Sequence, residues 1–530
     1  MVLSTYSALS TLLLVSPVAI VLYVLGGAVY RLYLSPLAKF PGPKLAALTQ
    51  WYEFYYDVVL EGQYTFHIKT LHEKYGPIIR INPWELHVYS PHFHEELYAG
   101  SNKIRDKWAF FTKKADAEQS TFSTTSHAPH RKRRAALNPF FSTASVNTLQ
   151  PVISQKVQQF LDRIRSFRDS GEVLVISDAF AAFANDVVNE YSFSNSQNRV
   201  AHPTFDPDFH HAAINGLKRG WTLKHFNFIL RLRAWIPEHI AVRIHRSTRE
   251  AIYIRSKMYA QVQKVMAAPE GTYLKGGHKT IFHEILGSSL PPNEKSVARL
   301  AQEAFTIIPA GTISTSWTLS VGTYHILASP TIMSKLRAEL SAAYPDADTQ
   351  LSLVELTKLD YLTGCILEAL RLSYGISTRN QRIAPEEDMM FTDPDTGKKW
   401  SIPRGTPTGM STSLIHHDET IFPNSHEFVP ERWLDRKERE RLGKYMVSFG
   451  RGTRSCLGIN LAYAELYLLM ANLFRLFGGN GEYGKMIEKG ASEGTLALFQ
   501  TDERDVRMAH DMGVAVPWEN TKGVRVKVLK

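Results

Sequence analysis

The sequence predicts a mainly α protein with a minor β region, preceded by one membrane-spanning helix. Three observations predict it. Apolar residues recur at helical spacing over most of the chain, strand-like alternation is confined to residues 75–90 and roughly 379–411, and the segment from Ala8 to Tyr30 is rich in Leu, Val, Ile and Ala and carries almost no charge. Of the 530 residues 44% are hydrophobic and 21% charged, ordinary for a chain that buries a large core, and no segment is low-complexity or visibly repeated.

The Ala8–Tyr30 segment is long enough to cross a bilayer core of roughly 30 Å. A cleaved signal peptide wants a basic stretch first, and no Lys or Arg precedes Arg31. Arg31, Lys39 and Lys44 follow the span, so the charge bias places the body in the cytosol and the short N-terminus in the lumen. Phe40-Pro41-Gly42-Pro43 then forbids helix continuation and makes a stiff turn. Residues 1–38 read as the anchor and 39–530 as one catalytic body with no interior linker.

Within the body, Tyr75 to Ser90 alternates between Gly/Pro signals and reads as a hairpin. The longest helical stretch runs from about Glu294 to Leu327, with Asn293 as its expected N-cap. It contains Pro309, expected to break a helical hydrogen bond and kink the axis, and Gly311, which costs roughly 1 kcal/mol against Ala and so needs a reason. Room for a flat cofactor and oxygen beside the helix is that reason; a purely structural kink is the competing one. An apolar helix over Asp360–Leu372 carries Glu368 and Arg371 on one face, and Arg379–Ser411 is strand-rich with a turn at Pro394–Gly397.

Only Cys365 and Cys456 occur, which excludes a disulfide framework and points to a reducing compartment; Cys365 reads as a core thiol. The formal charge of +10 calls for an anionic partner or surface. Nucleic-acid recognition motifs and an aromatic-basic platform are both missing, so membrane surface and acidic protein partners fit better.

The chemistry concentrates in Phe449-Gly-Arg-Gly452-Thr-Arg454-Ser-Cys456-Leu-Gly458, a glycine-bracketed loop running into a long apolar helix. Glycines let backbone approach a flat ligand, and a thiolate at a helix N-terminus is stabilised by the dipole and by free N–H groups, which makes it a good haem-iron ligand. A buried structural thiol would leave Phe449, Gly452, Arg454 and Gly458 at those offsets unexplained. On this loop the chain resembles the haem-thiolate superfamily of cytochrome P-450 enzymes.

The resemblance implies haem b with Cys456 as axial thiolate and metal ligand, Phe449 packed beside the sulfur, and Gly452, Gly458 and Gly311 near the cofactor. It implies a buried structural triad of Glu368, Arg371 and Arg432. The haem carboxylates would be held by Arg454, by His130 and Arg134 at i and i+4 on one helix, and by Arg382, with Arg379 a weaker competitor. The helix from Glu294 is similar to the family's oxygen-binding helix, where an acid usually precedes a threonine. Here Ile313 stands at the acid position and Ser314, followed by Thr315, at the hydroxyl position, so Ser314 and Thr315 are the catalytic candidates.

No dinucleotide fingerprint is present, so electrons would come from NADPH through a separate cytochrome P-450 reductase, docking where Arg131, Lys132 and Arg133 lie. The proline-rich hinge suits a single-pass enzyme of the endoplasmic reticulum membrane. Aromatic clusters at Trp108, Phe110 and Phe111 and at Trp221, Phe226, Phe228 and Trp235 would form the roof and entrance of a pocket for a lipophilic substrate. Ile104–Lys107 with Phe111-Thr112, Arg133–Ser142, and Leu498–Asp502 with Asp505-Val506 resemble fungal enzymes related to trichodiene oxygenase, which implies terpenoid or polyketide intermediates of secondary metabolism. The expected activity is a monooxygenase. An isomerase or dehydratase that uses no external oxygen, suggested by Ile313, and a non-enzymatic membrane haem sensor are the alternatives.

Overall fold

Helix α1, Val2–Val29, opens the computed structural model, which describes residues 2–233, 235–236, 240, 243, 246–268, 280–346, 349–479 and 492–530. One helical stretch among these, Ser16–Leu34, is long and apolar enough to cross a membrane, and none of it is buried against the body. Its end is fastened. Arg31 Nη1 donates to the Leu48 carbonyl (2.5 Å), Arg80 Nη1 to the Arg31 carbonyl (2.6 Å), and the Arg80 N–H to Pro41 (2.7 Å), so the proline-rich turn is bonded to the first strand.

The predicted hairpin is present as β1, Ile78–Arg80, and β2, Leu86–Val88, antiparallel with Ile78 opposite Val88. The principal helices are α2, His127–Leu137; α3, Thr143–Ser170; α4, Ile176–Phe193; α5, Asp208–His225; α6, Arg246–Ala267; α7, Val297–Ala328; α8, Asp360–Ser373; and α9, Ile459–Phe477. The remaining strands are β3, Leu174–Val175; β4, Met389–Thr392; β5, Lys399–Ile402; β6, Thr408–Gly409; β7, Thr495–Leu498; β8, His510–Asp511; β9, Ala515–Val516; and β10, Arg525–Leu529. They form small sheets ordered β1-β2-β6 and β3-β10-β7 and the pairs β4-β5 and β8-β9. The β4–β5 hairpin turns at Pro394–Gly397, as the Gly/Pro signals predict.

Helix α7 runs through the middle, packed on α4, α6, α8 and α9. It begins at Val297 because Pro292–Lys295 forms a separate 3₁₀ turn, and Ser296, not Asn293, caps it by accepting from the Arg299 N–H. The helix continues through Pro309. Gly311 is explained differently from the expectation: a Cβ there would lie 2.9 Å from Val188 Cγ2 of α4. The missing side chain lets two core helices approach, a packing demand. Helix α4 is buried on nearly every side, its polar Asn185, Asp186 and Asn189 included.

Glu368, Arg371 and Arg432 do come together. Glu368 accepts from Arg371 Nη2 (2.7 Å), Arg432 Nε (3.0 Å) and Trp433 Nε1 (2.8 Å), and both Glu368 and Arg371 are fully buried. Cys365 is buried in α8, a core thiol as expected.

Candidate active site

The segment from Val447 to Gly458 is folded by its own backbone. Gly450 N–H closes a turn on Val447 (2.8 Å), Gly452–Arg454 form a 3₁₀ turn, and Cys456 N–H returns to the Phe449 carbonyl (2.7 Å). Phe449 is thus tied to the cysteine through backbone, while its ring lies 5.3 Å from that of Tyr463 on α9. Gly452 has φ +71°, and a Cβ there would collide with the carbonyls of Tyr98 and Ala99. Its glycine is demanded by the chain's own backbone. Gly458 caps α9, and its N–H is hydrogen-bonded to Cys456.

Cys456 is accessible, yet protein surrounds it deeply enough that burial pushes its thiol up, against the opposing pull of the Gly458 amide and Arg134. A group both deep and accessible borders an internal space. The middle of α7 shows the same signature: Ala310 and Ser314, one turn apart, are exposed although the helix is packed on several sides. Ser314 Oγ donates to the Ala310 carbonyl (2.7 Å), and Ile313 is buried. Thr315 faces elsewhere, buried and hydrogen-bonded to Glu465 of α9. The two hydroxyl candidates therefore diverge, and only Ser314 opens onto the interior space.

Beside the cysteine loop, tertiary folding gathers Lys107, His130, Arg134, Arg382 and Arg454. Arg454 donates to the Thr124 and Thr125 carbonyls (2.6 Å each), Arg134 to the Ser455 carbonyl (2.6 Å), Arg382 to Gln381 (3.0 Å), and Lys107 to Phe122 (2.5 Å). These acceptors are neutral carbonyls. Burial first, then the neighbouring cations, push Lys107 well below its ordinary range, Arg454 down to about 9 and His130 down to about 2. Among the described residues Asp106 is the carboxylate that acts on Arg454, and its Oδ1 is engaged by the His127 N–H (2.7 Å). Three guanidinium groups and the Lys107 amine, converging with so little counter-charge among the described residues beside the neutral His130 ring, make a seat for an anion, and next to a thiol that can bind iron this fits a haem with its two carboxylates.

The family model for cytochrome P450 matches residues 43–486. The chain belongs to the cytochrome P450 family. It is 46% identical over 500 residues to the cytochrome P450 monooxygenase tpcC of Cochliobolus heterostrophus, covering 94% of each chain, and 43% identical over 523 residues to astB of Talaromyces wortmannii, covering 98% of each. A tryptophan 6-hydroxylase, fscE of Fusarium equiseti, is 39% identical over 529 residues with 99% of each chain covered. The crystal structure of a cytochrome P450 (CYP102L1) superposes with a TM-score of 0.68 over 89% of this chain and 95% of that one; at 17% identity it establishes the fold alone. The protein is thus a P450 monooxygenase, and the family implies haem on a cysteine thiolate.

Several residues stand differently from the sequence reading. Arg379 is no competitor for an anion in this site: fully buried, it meets Glu53 and Asp57 (2.7 Å each) in a separate network. Arg133 is not a solvated charge, since it pairs with Glu294 (2.8 Å), while Arg131 and Lys132 are exposed. Phe111 and Trp221 pack together, rings 6.0 Å apart, but Phe228 and Trp235 are surface residues. Lys107 had no assigned role. No spacing rule could have found it, because the cluster forms from segments far apart in sequence.

Proposed function

We propose that Cys456 would ligate the iron of a haem whose carboxylates would be held by Arg454, His130, Arg134, Arg382 and Lys107, and that Ala310 and Ser314 of α7 would border the same interior space. The observation that carries the proposal is the accessible yet enclosed Cys456 beside basic groups whose hydrogen bonds, among the described residues, go to neutral carbonyls. Bound there, the haem supplies activation of dioxygen. The chain does the rest. The Gly458 amide and Arg134 offset burial and favour the thiolate at Sγ. The Phe449 ring, packed on Tyr463, limits water on that side. Ser314 holds a proton at Oγ, parked on the Ala310 carbonyl, and can turn it toward the interior space. With Ile313 buried and apolar, any further proton comes through water or the substrate. Thr315 is left with a structural partner, Glu465.

Residues 1–38 anchor the enzyme in the endoplasmic reticulum membrane, with the body of residues 39–530 in the cytosol. Electrons arrive from NADPH through a separate reductase that meets the exposed Arg131 and Lys132. The substrate is a lipophilic intermediate of fungal secondary metabolism, a terpenoid or polyketide, which is hydroxylated or epoxidised. The test is the difference spectrum of the reduced, carbon-monoxide-treated protein in microsomes. A red-shifted Soret band that disappears in Cys456→Ser is expected; a folded wild-type protein without the band overturns the assignment.

A further inference from the structure

The turn Lys113–Ala115 sits under helix α5, fixed by an ion pair between the following Asp116 and Arg255 (2.7 Å) of α6. Lys114 points from this turn into an apolar cluster formed by Phe111, Trp221, Met512 and Val516. Its Nζ lies 3.9 Å from the Phe111 ring centroid and 4.5 Å from that of Trp221, and it fills the space beside Gly513, where an added Cβ would stand 2.9 Å away. Among the described residues no carboxylate, carbonyl or hydroxyl accepts from it.

Its neighbours show why. Lys224 Nζ, fully buried, is held by Glu53 (2.5 Å) and Asp57 (2.8 Å), and Arg379 uses the same two carboxylates. Asp511, the nearest remaining acid, accepts from Thr65, from Ser377 (2.8 Å) and from the Gly513 N–H (2.9 Å). Among the described residues these nearby acids are engaged, and the Lys114 amine is left without one. Burial pushes the Lys114 amine down to about 7 despite the pull of Asp511, so the protein itself does not compensate the charge. Yet the residue is only part-buried, the same deep but accessible condition that marks Cys456 and Ser314.

The strand of chain that carries Lys114 also continues to the proposed haem seat. Thr121 bonds to Glu303 of α7 (2.9 Å), and the Thr124 and Thr125 carbonyls receive Arg454. Lys114 therefore belongs to the same segment whose Thr124 and Thr125 carbonyls border the proposed haem seat.

We infer that Lys114 is the specificity-determining residue for an anionic end of the substrate, and that the substrate is a lipophilic carboxylic acid whose carboxylate pairs with this amine beneath Trp221. The inference rests on the reading of the interior space as the haem and substrate pocket. The aromatic faces exclude water and fit an apolar skeleton, and the amine supplies one oriented polar contact, the usual economy of a small-molecule site. Without ligand, a partly desolvated ammonium is left with only ring faces, a cost that a bound carboxylate removes.

The test uses purified full-length holoenzyme and the spectral shift that ligands cause in the haem band, read as Kd. The probes are laurate and abietate, each against its methyl ester. Wild type is expected to bind at least one acid about tenfold or more tightly than its ester, a preference abolished in Lys114→Met with ester affinity unchanged and largely restored in Lys114→Arg. Equal affinity for acid and ester, binding of neither, or a preference that survives in Lys114→Met overturns the inference. The thermal midpoint of Lys114→Met is expected to equal or exceed that of wild type, and a clear fall would mark the amine as structural and count against it. Loss of the carbon-monoxide band in wild type would instead show that the haem reading had failed first.

Discussion

Replacing Glu368 by Gln tests whether the charged core around α8 has been understood. Oε1 of Glu368 accepts from Arg371 Nη2 (2.7 Å), Arg432 Nε (3.0 Å) and the Val429 N–H (3.0 Å), and Oε2 from Arg371 Nε (3.0 Å) and Trp433 Nε1 (2.8 Å). Whichever way the amide is turned, its NH2 group faces donors, and two guanidinium groups lose their neutraliser. Arg371 is fully buried and cannot recover water; its other partners are the carbonyls of His416, Ser425 and Glu427. Breaking a buried pair in this way costs about 3–5 kcal/mol. The assay is urea unfolding in detergent followed by tryptophan fluorescence, with Glu440→Gln as control. That glutamate meets Arg436 at 3.3 Å, but the two side chains are 69% and 92% exposed, so the midpoint should not move. A Glu368→Gln protein within about 1 kcal/mol of wild type would refute the claim that this network is desolvated and fully paired.

Gly311→Ala should destabilise by about 1–3 kcal/mol through overpacking against Val188, and Val188→Ala should relieve it; no relief in the double variant would mean the glycine serves something other than helix contact. The buried histidines give a pH dependence. Burial holds His72 down to about 4 and His416 down to about 3, and His72 Nε2 lies 2.7 Å from His87 Nδ1, so the His72 and His87 rings share one proton across that bond and cannot both be protonated without losing it. Unfolded histidine titrates near about 6.5, so the unfolded chain binds more protons below that pH. In a Glu465→Gln background, the histidine contribution should be level above about pH 7 and fall as pH drops from about 6.5 toward 5, in urea midpoints; a flat profile there would contradict it. Glu465 runs the other way. Burial raises its carboxyl to about 8, so its contribution is lost as pH rises from about 4.5, the unfolded value, to about 8. Glu465→Gln should therefore be more stable than wild type at pH about 8 and similar at pH about 5, and a loss at both would sink the assignment of a neutral acid.

Much of the architecture was legible because it rests on local signals. Alternation between Gly/Pro punctuation located β1 and β2, the 3.6-residue period located α7 and α8 to within a few residues, and the nearly uncharged apolar run marked the one candidate span among the described residues. The N-cap of α7 moved from Asn293 to Ser296 because two prolines support a separate 3₁₀ turn first, a choice between adjacent caps that propensity does not rank. Gly311 and Gly452 were visible as demanding positions, but what demands them is not: one accommodates Val188 of another helix, the other the carbonyls of Tyr98 and Ala99.

The sequence by itself determined the chemistry that a short contiguous stretch can encode: a cysteine between glycines at the start of a helix, a charged pair three residues apart, and an apolar N-terminal segment followed by positive charge. Only the tertiary structure decided which cations share space. Arg379 and Arg382 are three residues apart with nearly identical sequence credentials, yet one is neutralised by Glu53 and Asp57 and the other joins Lys107, His130 and Arg454 around an unmet need for negative charge. The same holds for Ser314 and Thr315, adjacent hydroxyls that a turn of about 100° per residue sends to different neighbours. Periodicity and spacing act along the chain and can be read from it. Charge balance and accessibility are sums over everything nearby in space, and they exist only once the chain has folded.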